Sequence, residues 1–248
     1  MDKSQLGQHF LKNKEVLKKI IEASELKDND VVFEIGAGNG VLTRELAKNV
    51  KKVIAVEIDE SFKEELNRID NVQVIIGDAI EKIEMLSFNK IVANIPYVIV
   101  EPLFWKLIKI NFDSCVLLIG ENFYNLLNNK ESKWSVINRI FFDIEKVMDV
   151  KKEDFEPKPK VNSVLIKIRK NKNKLNKPDE FLREFLLQDD KKIKNALIYT
   201  LIRVKKITKK EAKEIIDKLG LSDEILEKYV NNLSNEDFIK VIDKNLII

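Results

Sequence analysis

A chain of 248 residues with 44% hydrophobic and 34% charged side chains has the balance of a globular protein with a substantial core. Cys115 is the one cysteine and His9 the one histidine. An internal disulfide, a Cys/His metal site and a Ser–His–Asp triad away from residue 9 therefore all lack the residues they need, and no metal is expected. No apolar run approaches the roughly 20 residues of a membrane helix, and the first residues hold no apolar leader, so neither membrane insertion nor export is expected. The net charge of +3 is unevenly spread: residues 151–210 hold 19 basic against 8 acidic side chains, between two slightly acidic flanks. That segment suits a polyanionic partner, with a Lys-rich solvated surface as the plainer alternative.

In chain order, "NKEVLKKIIEASEL" spaces Val16, Leu17, Ile20 and Ile21 as one helix face. The apolar run Val31 to Ile35 reads as a strand running into the glycine cluster "GAGNG". Thereafter strands and helices alternate. "VLTRELAKNV", "ESFKEELNRI" and "PLFWKLIKI" read as helices; "KKVIAVEID", "NVQVIIGDAI", "KIVANIPY" and "SCVLLIG" read as strands. Such alternation predicts a parallel sheet covered on both faces, with its ligand beyond the carboxyl ends of the strands. After about Lys151 comes an alternating strand from Val164 to Ile168, then the polar stretch "KNKNKLNKPD", then four helical segments. A larger α/β domain over 1–175 and a small helical domain over 176–248 are expected. Trp105 and Trp134 read as packing, and Cys115 as a core thiol.

Four strand ends carry chemistry. Glycines 36, 38 and 40 let the backbone turn tightly and approach a ligand, and the spacing G-x-G-x-G suits a nucleoside better than a pyrophosphate. Glu57 closes the next strand, where an acid can accept hydrogen bonds from both ribose hydroxyls. Asp78 closes the third, placed to accept from an adenine amine or to cap a helix. For Asp59, two residues beyond Glu57, capping is the natural role. Together these describe an adenosine pocket with a neighbouring space. The fourth strand ends in "NIPY", Asn94 to Tyr97. If the pocket holds S-adenosyl-L-methionine, the acceptor must present a nucleophilic lone pair. The Asn94 oxygen and a main-chain carbonyl near Ile95 could hold the two hydrogens of an aromatic amine, with Tyr97 stacked on its ring and Pro96 stiffening the turn. Catalysis would then be positioning and charge complementarity, without a strong base.

"LGQHFL" (6–11), "FEIGAGNGVLT" (33–43), "VEID" (56–59), "GDAI" (77–80), "NIPY" (94–97) and "FEPKPKVNS" (155–163) occur in order and at suitable spacing. In these motifs the chain resembles the KsgA-type small-subunit rRNA adenine dimethyltransferases and their Erm-type relatives, over roughly residues 5–200. The resemblance implies an α/β, Rossmann-like S-adenosyl-L-methionine-dependent methyltransferase domain with a small helical C-terminal domain that binds RNA. It implies cofactor contacts from His9, Leu11, Gly36, Gly38, Glu57, Asp78 and Asn94, with His9 standing where the family usually has Asn. It implies that Asn94, Pro96 and Tyr97 hold the target adenine and that Phe155 closes over the flipped-out base. Three stretches depart from the family pattern: "VIVEP" replaces a polar segment after NIPY, "GENF" follows the fifth strand, and "QDDKKIKNAL" puts Asp189 and Asp190 where a basic pair is usual.

The reading is a cytoplasmic, monomeric methyltransferase that acts twice on adenine amines of small-subunit rRNA and supports ribosome biogenesis, with S-adenosyl-L-methionine as cofactor and the small-subunit precursor as partner. Alternatives are an Erm-type large-subunit target, a protein glutamine methyltransferase, and a non-catalytic RNA-binding assembly factor of the same fold.

Overall fold

The computed structural model describes residues 9–130, 132–173 and 175–242. The chain divides into two compact units. One comprises Met1–Asn125 and Asp143–Lys170, the other Leu126–Phe142 and Asn171–Ile248. A single cut after residue 175 does not describe this division, because the helix Lys133–Phe141 packs with the C-terminal helices. Its buried Lys133 donates from Nζ to the Leu233 carbonyl at 2.6 Å, and its Arg139 pairs with Asp179.

The first unit begins with a two-residue strand, β1 (Phe10–Leu11), and helix α1 (Lys14–Ser24). Asn13 caps α1, accepting from the amides of Glu15 and Val16. Val16 and Ile20, one turn apart, bury its apolar stripe. Then follow β2 (Val31–Ile35), α2 (Val41–Ala47), β3 (Lys52–Glu57), α3 (Lys63–Leu66), β4 (Val72–Ile76), α4 (Ala79–Lys82), β5 (Lys90–Asn94), α5 (Val100–Leu107), β6 (Ser114–Gly120) and α6 (Glu121–Asn128). Beyond α7 (Lys133–Phe141), this unit resumes with β7 (Phe142–Val150), β8 (Phe155–Glu156) and β9 (Ser163–Lys170).

Seven strands form one sheet in the order β4-β3-β2-β5-β6-β9-β7. The pairs β3/β4, β2/β3, β2/β5 and β5/β6 are parallel and β6/β9 is antiparallel. The expected parallel sheet is therefore the five strands from β4 to β6, extended on the β6 side by two later strands. Sequence patterning did not assign β7, and the reason is physical: as an edge strand it carries Asp143, Glu145, Lys146 and Asp149 and leaves much of its length to solvent. The inner strands β2, β3, β5 and β6 are buried nearly throughout, which is why they read as continuous apolar runs. Strand order reverses between β2 and β5, opening a crevice at their carboxyl ends. A second, two-stranded antiparallel sheet pairs β1 with β8, setting Phe10 opposite Glu156 and Leu11 opposite Phe155.

The opposite, amino-terminal edge of the sheet is locked by a buried cation. Lys90, only 6% exposed, donates from Nζ to the carbonyls of Ser24 and Glu25 at 2.7 and 2.6 Å, and lies 3.4 Å from Asp30. Asp30 also accepts from Asn89 and from the Lys27 amide, while Asn89 accepts from the Val31 amide. The last turn of α1 and the starts of β2 and β5 thus share one polar knot.

In the second unit, α7 is joined by α8 (Lys177–Leu186), α9 (Ile193–Lys205), α10 (Lys209–Lys218), α11 (Asp223–Leu226) and α12 (Asn235–Val241). Asn176, Thr208, Ser222 and Ser234 cap four of them. Trp134 and Trp105, in different units, are both buried, in accord with packing roles. Asp189 is also buried, so of the acidic pair in "QDDKK" only Asp190 is exposed to solvent.

Replacing Lys90 by Met keeps the stem but strands a buried carboxylate and two carbonyls. The expected loss is about 3 kcal/mol of unfolding free energy in urea titrations. A loss within the range of an ordinary surface change would show that the knot contributes little.

Candidate active site

The crevice between β2 and β5 opens into a cavity lined by the ends of β2, β3 and β5, the residues just after β4, and the segment His9–Leu11. Its floor is built by glycine. Gly36 and Gly38 have φ of +70° and +52°, and a Cβ on Gly38 would sit 2.8 Å from the Phe10 ring. The turn therefore needs both the left-handed conformation and the absent side chain. Phe10 in turn meets Phe62 edge to face, with ring centroids 6.0 Å apart.

Glu57, 3% exposed, is fixed by two backbone donors. Its Oε2 accepts from the Gly38 amide at 2.8 Å and its Oε1 from the Asp59 amide at 2.9 Å. Each oxygen keeps a further lone-pair site for a pair of vicinal hydroxyls. Asp78 does cap α4: its Oδ1 accepts from the Ile80 amide at 2.8 Å. Being exposed at the cavity edge, it has Oδ2 left for a ligand. Asp59 caps the turn Glu60–Phe62 through its Oδ1.

A second carboxyl lies under the first. Glu34 on β2 is 1% exposed, and neither its Oε2 nor the Oγ1 of buried Thr43 has a hydrogen-bond partner among the described residues. Burial pushes the Glu34 carboxyl up to about 8, the nearby Thr43 hydroxyl opposes that rise, and the charge on Glu57 adds to it. Two acids line one cavity, Glu34 kept neutral by burial and Glu57 accepting from two backbone amides.

On the other wall, Asn94 donates from Nδ2 to the carbonyl of His9 at 2.8 Å. Only the amide nitrogen can make that bond, so Oδ1 is the atom left to accept. Ile95 is buried, and the Pro96 carbonyl closes the next turn by accepting from the Ile99 amide at 3.1 Å. The Tyr97 hydroxyl hydrogen-bonds to Ser163 at 2.6 Å, and the ring lies against Gly120, where a Cβ would stand 3.3 Å from it. Burial pushes the Tyr97 phenol up, opposed by the Ser163 hydrogen bond, so it stays neutral. His9 completes the wall: its Nδ1 lies 2.7 Å from the Pro157 carbonyl, and its ring is 6.1 Å from that of Tyr97.

His9, Leu11, Gly36, Gly38, Glu57, Asp78, Asn94, Pro96 and Tyr97 all line this cavity. Phe155, expected to close over the flipped-out base, is not among the residues lining it. Its pairing opposite Leu11 in the small sheet directs it into the hydrophobic core, where it is 1% exposed. Sequence reasoning did not single out Phe10, Gly120 and Ser163 as site residues, and it noted Glu34 only as the acid preceding the glycine cluster. All four stand in quoted motifs, yet no spacing tells which ring a glycine faces or which hydroxyl a tyrosine meets. Leu6, Gly7 and Gln8 of the entry motif lie outside the described residues.

A family model described as "Ribosomal RNA adenine dimethylase" matches residues 1–240. The chain belongs to the ribosomal RNA adenine dimethylase family. It is 40% identical over 196 residues to the probable ribosomal RNA small subunit methyltransferase A of Pyrococcus abyssi, covering 76% of this chain and 72% of that one. It is 36% identical over 238 residues to the protein of the same name from Methanococcus maripaludis strain C6, covering 90% of each. Among solved structures it is similar to a dimethyladenosine transferase from Plasmodium falciparum (29% identity, TM-score 0.63, 96% of this chain and 99% of that one). It also shares the fold of the 23S rRNA methyltransferase ErmE (22% identity, TM-score 0.60, 96% and 99%). This dimethylase accordingly has a Rossmann-like fold and uses S-adenosyl-L-methionine to methylate adenine in ribosomal RNA. The cavity fits that cofactor: glycines 36 and 38 leave room for close approach, Glu57 keeps lone pairs beyond its two backbone donors, and Glu34 keeps an unpartnered oxygen.

Glu34→Gln tests the neutral acid. The native carboxyl keeps its proton up to about 8, whereas an unperturbed one releases it near 4.5. The native state then binds more protons than the unfolded state in that window, and wild-type stability falls as pH rises, by at most ~1.4 kcal/mol per pH unit. Gln does not titrate. The melting temperature of the variant should therefore gain on wild type steadily from about pH 5 to about pH 8; parallel curves would contradict a buried neutral Glu34.

Proposed function

We propose that this dimethylase transfers two methyl groups in succession to the exocyclic amine of adenines in small-subunit rRNA, acting as a cytoplasmic monomer on a subunit precursor. The observation that carries the reading is the direction of the Asn94 amide. With Nδ2 committed to the His9 carbonyl, Oδ1 is a fixed acceptor at the end of β5.

S-adenosyl-L-methionine, bound in the cavity, supplies a methyl group on a cationic sulfur that leaves as a neutral thioether. Gly36, Gly38, Glu57 and Asp78 hold the nucleoside end, with Glu57 accepting from the ribose hydroxyls and Asp78 from the adenine amine. His9 and Leu11 close the cavity from the N-terminal segment. Asn94 Oδ1 and the Ile95 carbonyl take the two hydrogens of the target amine, which turns its lone pair toward the methyl carbon. Tyr97, fixed at its hydroxyl by Ser163 and backed by Gly120, offers its ring to the base. The methylated nitrogen is strongly acidic and sheds its proton to water, so neutral Glu34 and Tyr97 need not act as bases. Positioning provides most of the rate. The helical region 176–248 is read as an RNA-contacting part, with Lys191, Lys192 and Lys194 as phosphate contacts that position rather than specify. Among the described residues no helix is long and apolar enough to cross a membrane.

The deciding experiment is methyl transfer from labelled S-adenosyl-L-methionine to small and large ribosomal subunits that lack adenine methylation, followed by nucleoside analysis. Dimethyladenosine in small-subunit RNA is expected; label confined to large-subunit RNA would favour the Erm-type target. No product, despite binding of cofactor and subunit, would favour an assembly factor. In the same assay Asn94→Ala should cut kcat by about 10²–10³-fold while calorimetry finds cofactor affinity retained. Equal turnover would remove Asn94 from the proposed role.

A further inference from the structure

We propose that the His9 side chain is a latch that positions Asn94. The inference rests on the reading of Asn94 Oδ1 as acceptor of the target amine. His9 acts through its neighbours and is a positioning residue.

The segment carrying His9 has little hold of its own. Strand β1 is two residues long, and the segment is laced to the chain around β8 by a few bonds. Lys12 donates its amide to the Asp154 carbonyl at 2.9 Å, and Asn13 donates from Nδ2 to the Asp154 carboxylate at 2.7 Å. At the other end, the side-chain tie is His9 Nδ1 to the Pro157 carbonyl at 2.7 Å. His9 is also the residue whose main-chain carbonyl receives Asn94 Nδ2. One residue thus joins the NIPY turn to the "EPKPK" loop, and a catalytic amide takes its orientation from a carbonyl that a side chain secures. If the tie is released, the carbonyl can swing, Asn94 loses the partner that distinguishes its two ends, and Oδ1 is no longer presented in one direction.

The acceptor dictates the chemistry. A carbonyl cannot donate, so Nδ1 must carry the hydrogen and Nε2 is the unprotonated nitrogen of the neutral ring. The same argument says which residue could replace His9. The amide nitrogen of Asn is separated from Cβ by the same two bonds as Nδ1 of His. Asn can therefore place a donor at the same point, whereas Ala cannot.

Two independent measurements test this. His9 is the only histidine, so in untagged, 15N-labelled protein the imidazole nitrogens need no assignment. Long-range nitrogen–proton correlation, at a pH high enough to leave the ring neutral, should find Nδ1 protonated and Nε2 bare; the opposite tautomer overturns the latch even if every variant misfolds. Kinetics on unmethylated small subunits form the second arm. His9→Ala should lower kcat about a hundredfold, as expected for a misplaced catalytic group, with cofactor affinity by calorimetry and KM for the subunit held. His9→Asn should recover most of that loss. A His9→Asn as impaired as His9→Ala would show that the imidazole ring itself is required, and a His9→Ala defect lying in cofactor affinity would make His9 a cofactor contact; either result overturns the proposal. Wild-type protein that methylates no adenine while showing the Nδ1–H tautomer would count against the reading of Asn94, leaving the tie to Pro157 in place.

Discussion

Parallel pairing of β2 with both β3 and β5 is the constraint from which the site follows. Because the strands run the same way, Ile35, Glu57, Ile76 and Asn94 all finish on one rim of the sheet. Because strand order reverses at β2, connections leave that rim in opposite directions and cannot cover it. The buried Lys90 knot at the opposite edge fixes where β2 and β5 begin relative to α1, and so where they end.

On that rim, environment separates two like residues into two roles. Glu57 receives two backbone amides, which fix both of its oxygens. Glu34 receives none that the structure describes and is enclosed by apolar strands, which favour its acid form. Two carboxylates in one cavity would repel each other; a neutral Glu34 removes that repulsion.

The reacting side is built by support. Asn94 is oriented by a main-chain carbonyl, Tyr97 is held at both its hydroxyl and one side of its ring, and the N-terminal segment is tied to the loop after β8. Neither Asn94 nor Tyr97 is a base at neutral pH. What they share is fixed direction, which is what transfer from an already activated methyl donor demands of a protein. Buried Phe155, opposite Leu11 in the small sheet, belongs to this support: it braces the strand that carries His9 and Leu11.

The sequence by itself determined the central strands, the glycine turn and the three polar residues Glu57, Asp78 and Asn94 at or just beyond strand ends. Their signals are local: β2, β3 and β5 are largely apolar because both faces are covered, and the polar residues follow where the runs stop. The motifs from "GQHFL" to "PKPKVNS" likewise pointed to the family to which the chain belongs. Edge strand β7 was illegible because its exposed positions carry charge, and the place of α7 because helix patterning does not say which unit a helix joins. Only the tertiary structure decided that Phe155 faces the core, that Gly120 and Ser163 seat Tyr97, and that His9 reaches Pro157 across 148 positions of chain. Each of these depends on strand register between segments distant in sequence. A one-residue slip between β1 and β8 would exchange which of the facing residues points inward. Composition and periodicity carry no record of that register; it is fixed when the small sheet pairs and the core closes on Leu11 and Phe155.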